Sequence, residues 1–158
     1  MRNEQDKARV EKGVFREFAK RAGLRLVPQS IRKGDPDQGE PDILCEAEGE
    51  GPLAFELMEL CAPDLARAMT AAEKTGRGVF TWVGHNLESE IPKKRDKIYR
   101  VDCPLELLLY TNGRAPLPDE VLRAKAEAVV PTLQRKFRRV WLLGSESLEL
   151  LFDRDETG

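Results

Sequence analysis

The sequence predicts a single α/β domain, spanning residues 1–158, in which helices flank a mixed central β-sheet. Its 158 residues suit one domain with a sizeable core. Hydrophobic residues make up 41% and charged residues 34%, which is the balance of a globular protein rather than a disordered one. Segments with helical spacing of apolar residues alternate with short apolar runs bounded by turn formers, and this alternation predicts helices that cover a sheet.

The chain begins with a predicted helix over residues 4–22. Its apolar residues recur at helical spacing: Val10, Val14, Phe15, Phe18, Ala19 and Ala22. Gly23 is a natural stop, because glycine readily takes the left-handed conformation that ends many helices. Residues 24–31 favour a strand, and Pro28 confines that strand to an edge or a bend, since proline lacks an amide donor.

A predicted hairpin follows a loop of turn formers at residues 31–41. Its apolar strands are PDILCEA (41–47) and PLAFELMEL (52–60), joined through EGEG. The rest of the chain alternates predicted helices with strands. Helices are expected over 62–76, 92–100 and 118–137, with Pro131 breaking or kinking the last, and strands over 104–113, 139–144 and 148–153. The segment 78–89 mixes aromatic and turn residues and fits neither pattern.

Charge and apolar runs limit the possible partners. The net charge of -2 excludes a protein whose whole surface attracts nucleic acid, but residues 92–100 and 134–139 are basic, either as solvated faces or as contact surfaces. No apolar run is long enough for a bilayer, and the charged N-terminus lacks a signal-peptide core, so we expect a cytoplasmic protein with no membrane association.

The widely spaced cysteines are predicted to be buried free thiols: Cys45, Cys61 and Cys103.

Two acids stand out in the predicted hairpin, Asp42 at the start of its first strand and Glu56 within the second. A hairpin centred on Gly49–Gly51 puts Asp42 opposite Met58 and one diagonal step from Glu56, at roughly 5–8 Å. Carboxylates that close repel each other unless a proton or a cation lies between them. We therefore predict a cation site, and Mg²⁺ (or Mn²⁺) suits a pair of carboxylates completed by water and phosphate oxygens.

A third acid, Glu11, points into the middle of the apolar stripe of the first helix, whereas Glu17 points to its edge. An acid on a buried stripe needs a partner. Glu11 either joins the predicted cation site, pairs with an arginine, or lies at a frayed, open end of the helix.

The order of these features resembles the PD-(D/E)XK nuclease superfamily, from about residue 4 to about residue 144. The shared features are a helix with an inward glutamate, PD at the start of a strand, E-x-x on its hairpin partner and a following helix. The resemblance implies a restriction-endonuclease-like fold with Asp42 and Glu56 as metal-binding catalytic acids and Glu11 as a further ligand. It also implies Mg²⁺-dependent hydrolysis of DNA or RNA phosphodiesters by an activated water.

The sequence departs from this family at the motif lysine, because Met58 occupies that position. Some members take the lysine from a neighbouring element, and the basic segment 92–100 offers one. Lys94 lies between Ile91 and Ile98 on a predicted helix face, so its stem can lie on the core while its ammonium reaches the site. Lys97 is the second choice. The alternative is that both lysines are solvated.

Three functional hypotheses follow. The first is a Mg²⁺-dependent nuclease with a relocated lysine. The second is a catalytically inactive nuclease-fold module that binds nucleic acid or a protein partner. The third is an interaction protein whose acids pair with arginines. Metal binding separates the third hypothesis from the others, and cleavage separates the first from the second.

Overall fold

Six strands form one mixed β-sheet in the order in which they occur along the chain. The computed structural model describes residues 4–60, 87, 90–111 and 119–157. The strands are β1 (Arg32–Lys33), β2 (Ile43–Ala47), β3 (Gly51–Glu59), β4 (Leu105–Tyr110), β5 (Arg139–Leu143) and β6 (Leu148–Asp153). The described helices are α1 (Glu4–Ala22), α2 (90–96), α3 (Asp119–Val129) and α4 (Arg154–Thr157).

The centre of the sheet is parallel and its two margins are antiparallel. β4 runs parallel to both β3 and β5, whereas the β1–β2, β2–β3 and β5–β6 pairs are antiparallel. Every residue of β4 is buried, as expected for a central strand that is covered on both faces. The predicted α/β class with a mixed sheet flanked by helices is therefore confirmed.

Alternate residues of β3 supply two separate cores, one on each face of the sheet. On one face, Phe55 packs against Phe15 and Phe18 of α1, with ring centroids 4.8 and 5.5 Å apart. The core on the other face joins Met58 to buried residues of α2 and α3, which are Ile91, Leu122 and Ala126. The two layers of helix thus cover the hairpin strand that carries Glu56.

The strand predicted over 24–31 is wrong, and the sheet begins later. In this segment only Leu26 pairs, through an isolated bridge to Ala47. The chain turns at Pro28, because Gln29 has a left-handed φ of 64° and the Ser30 amide donates to the Val27 carbonyl. The first strand is instead β1, which lies within the predicted loop.

Two predicted helices end earlier than expected. The helix predicted over 92–100 covers 90–96, and the chain then leaves it so that the Arg100 amide donates to the Gly39 carbonyl. The helix predicted over 118–137 ends at Val129 and passes into a 3-10 turn, Val130–Thr132. Pro131 causes this change, since it has no amide proton for the α-helical ladder.

Some predictions lie outside the described residues. These are the helix over 62–76, nearly all of the segment 78–89, and Cys61. Of the other two cysteines, Cys45 is free and buried as predicted, whereas Cys103 is free but only half-buried.

Candidate functional site

The hairpin register brings Asp42 directly opposite Glu56. Ile43 pairs with Phe55, so Asp42 and Glu56, each one residue farther from the turn, also face each other. The Asp42 amide donates to Glu56 Oε1 at 3.1 Å. The predicted register, with Met58 opposite Asp42, is wrong by two residues because the turn is centred on Gly49. A shift of two residues preserves the face, so both acids still share the α2 side of the sheet.

The Asp42 carboxylate accepts hydrogen bonds on both oxygens. Oδ2 accepts from the Leu57 amide at 2.9 Å, and Oδ1 accepts from Lys33 Nζ at 3.3 Å. Burial acts to raise the pKa of Asp42, but the Glu56 carboxyl, the Lys94 ammonium and the Leu57 amide outweigh it and hold this pKa below its ordinary value. Asp42 is therefore the stronger acid of the pair.

Glu56 is fully buried, with 0% of its surface exposed. Its Oε2 atom accepts from Tyr99 Oη at 2.7 Å and from Lys94 Nζ at 3.1 Å, and Lys97 Nζ lies 3.6 Å away. Burial raises the pKa of Glu56, the charge of Asp42 raises it further, and Lys94 and Tyr99 oppose the rise. The two acids thus have pKa values shifted in opposite directions, as expected for a coupled pair of carboxyls.

Glu11 enters the site from α1 through Lys33. Its side chain is buried, with 4% of its surface exposed, and its Oε1 atom lies 2.6 Å from Lys33 Nζ. Burial and the charge of Asp42 raise the pKa of Glu11, whereas Lys33 lowers it. Both alternatives for Glu11, an arginine partner and a frayed helix end, are wrong. The Lys33 ammonium stands between Glu11 and Asp42.

Of the two predicted lysines, Lys94 lies deeper in the site. Its ammonium is bound to Glu56, while the Lys97 side chain is 40% exposed. The predicted reason is only half right, because Ile91 is buried but Ile98 is 80% exposed beyond the end of α2. One apolar anchor is enough to direct this turn of α2 towards the sheet. Met58 is buried in the apolar core, where it cannot substitute for a lysine.

Two residues of the site, Lys33 and Tyr99, were not predicted from sequence. Lys33 lies in β1, a strand of two residues that is too short to show a periodicity. Antiparallel pairing of β1 with β2, which directly follows Asp42, places Lys33 beside Asp42. Tyr99 follows the helix end, and the ammoniums of Lys97 and Lys136 lie 5.1 and 5.5 Å from its ring centroid. Burial and Glu56 raise the pKa of Tyr99, so its hydroxyl remains a donor.

The carboxylates fit a magnesium ion only in part. Mg²⁺ commonly binds one or two carboxylates and completes its shell with water and phosphate oxygens, and the facing pair Asp42 and Glu56 suits that mode. Within the described residues, no three acidic, histidine or cysteine side chains are arranged to hold a metal ion. Glu11 can become a ligand only if Lys33 leaves its position between the carboxylates.

Comparisons with protein families, with curated proteins and with solved structures found no match to this chain. The geometry of the site therefore carries the functional argument by itself. Among the described helices, none is both long enough and apolar enough to cross a membrane.

The opposite pKa shifts of Asp42 and Glu56 can be measured by carboxyl NMR titration of the metal-free protein. Glu56 should titrate above 4.5 and Asp42 below 3.8, the ordinary values. Since the pKa of Glu56 is raised on folding, its ionisation lowers stability as pH rises from 4.5 through the folded value. The Asp42 contribution has the opposite sign and is lost as pH falls through its depressed pKa.

In Asp42→Asn, the Glu56 midpoint should fall relative to the parent, because the charge of Asp42, which helps to raise the pKa of Glu56, has been removed. Asp37→Asn, in the exposed 3-10 turn Pro36–Gln38, is the control and should leave the Glu56 midpoint unchanged. A Glu56 midpoint below 4.5 in the parent, or one that Asp42→Asn does not move, would contradict the coupled pair.

Proposed function

We propose that this protein is a Mg²⁺-dependent nuclease of PD-(D/E)XK type, with a restriction-endonuclease-like fold, that hydrolyses phosphodiester bonds of DNA or RNA. The observation that carries the proposal is the position of Lys94. Its Nζ atom lies 3.1 Å from Glu56 Oε2, beside the facing pair of acids. Met58, at the position of the motif lysine, carries no charge. Lys94 from the neighbouring helix α2 thus provides a cation next to the acids.

The chemistry of phosphodiester hydrolysis explains why this cation matters. Negative charge builds up at the reacting phosphate, and fixed positive groups aimed at that charge lower the barrier. Lys94 is fixed by its bond to Glu56 and is 23% exposed, so its ammonium is oriented but still accessible. Mg²⁺, when bound, supplies further stabilisation of the phosphate charge as a Lewis acid. Asp42 and Glu56 are the residues that would hold it.

A basic surface next to Glu56 supports a nucleic-acid substrate. The segments 92–100 and 134–139 are far apart in sequence, but they meet where Lys136 Nζ donates to the Lys97 carbonyl. Beside this junction is a groove of about 480 Å³, lined in part by Tyr99, Lys136 and Arg138. Tyr99 links this groove to the candidate site, because it lines the groove and its hydroxyl binds Glu56. Cations along such a path suit a phosphate backbone.

The nuclease proposal is tested by Mg²⁺-dependent cleavage of DNA and RNA by the parent and by lysine variants. Lys94→Ala should reduce the cleavage rate by about 10²-fold or more, as expected for the loss of one preorganised charge. Lys97→Ala should have a smaller effect, because its ammonium is farther from Glu56. Lys20→Ala is the matched control, since it removes the same charge from an exposed position in the last turn of α1, outside both basic segments.

The melting temperature of each variant separates lost chemistry from lost folding. Full activity in Lys94→Ala would refute its role. An inactive parent whose Met58→Lys variant cleaves would instead identify a nuclease that has lost its chemistry.

A second candidate function is a catalytically inactive module that binds nucleic acid or a protein partner. One observation favours it: the acids already have ammonium partners, Lys33 for Glu11 and Asp42, and Lys94 for Glu56. An interaction protein whose acids serve only in ion pairs agrees with the same contacts, although the partners are lysines and not the expected arginines.

Salt dependence of nucleic-acid binding tests the basic surface, and cleavage then separates the two candidate functions. If the basic surface holds a phosphate backbone, the logarithm of the affinity for duplex DNA should fall with log salt by about 0.9 per phosphate contact. Binding without cleavage would support the inactive module. Absence of binding to DNA and RNA at low ionic strength would leave a protein partner as the remaining ligand.

A further inference from the structure

Lys33 occupies an unusual position for a residue of an edge strand. Its ammonium contacts two carboxylates, Glu11 Oε1 at 2.6 Å and Asp42 Oδ1 at 3.3 Å. The acids come from different layers, since Glu11 belongs to α1 and Asp42 begins the hairpin. One cation therefore joins the helix to the strand that carries the candidate metal ligand.

The charges around Asp42 explain why a cation is needed there. Glu11 and Glu56 are buried, Asp42 is partly buried with 18% of its side chain exposed, and Lys94 is bound to Glu56. Buried carboxylates without a compensating charge are strongly disfavoured. Lys33 supplies that charge on the side of Asp42 that faces Glu11.

A divalent ion bound to Asp42 Oδ1 could not coexist with the Lys33 ammonium on that same oxygen. Mg²⁺ binds carboxylate oxygens at about 2.1 Å, whereas an ammonium contacts them at hydrogen-bond distance. Both cations would then lie within a few ångströms of each other, and their repulsion in a poorly hydrated site would be large. Either the lysine withdraws or the ion does not bind.

We infer that Lys33 is an internal counter-ion that holds the cation position between Glu11 and Asp42, and that a divalent ion must displace it to bind. The inference rests on the metal site of the proposed function. Lys33 is suited to such displacement, because its side chain is 25% exposed and β1 is a two-residue strand at the sheet edge. Its stem can swing towards solvent without breaking the central sheet.

The competition is tested by Mn²⁺ binding to the purified protein, measured by calorimetry and by the electron paramagnetic resonance signal of free Mn²⁺. Lys33→Met keeps the stem and removes the charge. It should bind Mn²⁺ about tenfold more tightly than the parent or better, and its metal-free melting temperature should fall. Mn²⁺ should then raise that temperature more than in the parent, since a ligand that binds only the folded state stabilises it more when it binds more tightly.

Two variants control for charge and shape. Lys93→Met removes the same charge from an exposed position on α2 and should leave Mn²⁺ affinity unchanged. Lys33→Arg keeps the charge and should bind Mn²⁺ no more tightly than the parent. If Lys33→Met does not fold without metal, Lys33→Gln is the second neutral variant.

The outcomes separate this inference from the proposed function. Tighter binding in the neutral variants, or binding by them alone, supports the competition. A parent that binds Mn²⁺ with an affinity unchanged or weakened in the neutral variants overturns the competition but leaves the metal site standing. Absence of Mn²⁺ binding in the parent and both neutral variants overturns both. Loss of folding that Mn²⁺ does not rescue also overturns the competition, because Lys33 would then be a partner that no metal replaces.

Discussion

The withdrawal of three neighbouring carboxylates from water is the constraint on which the candidate site depends. Glu11 and Glu56 are buried and Asp42 is partly buried, and leaving a buried charge unpaired typically costs about 3–5 kcal/mol. Lys33 and Lys94 supply the compensating charges. The fold must therefore bring two lysines from separate segments to these acids.

The α/β architecture satisfies this requirement by using both faces of the hairpin. The aromatic core beneath α1 fixes the helix that carries Glu11, while the opposite core fixes α2, which carries Lys94. The hairpin between them places Asp42 opposite Glu56. The same packing that stabilises the sheet thus orients the acids and their cations. Such preorganisation suits a catalytic site, but it equally suits a permanently neutralised one.

Periodicity explains which parts of this arrangement the sequence could predict. The alternation of β3 was sufficient to place Glu56 and Asp42 on one face, and the register error of two residues did no harm because side chains alternate with a period of two. The longer period of α1 likewise directed Glu11 inward. Lys33 escaped prediction because a strand of two residues has no period to detect. Lys94 was predicted for a partly wrong reason, since Ile98 lies beyond the helix that was to anchor it.

We propose that the facing carboxylates form a metal site, and that the lysines neutralise these carboxylates when no metal ion is bound. Anomalous diffraction from crystals soaked in Mn²⁺ tests it most directly, because manganese gives a signal that a lysine or a water does not. We expect an anomalous peak between Asp42 and Glu56, with the Lys33 ammonium moved away from Asp42. The absence of a peak, with Lys33 still between Glu11 and Asp42, would contradict it and favour a permanent ion-pair cluster.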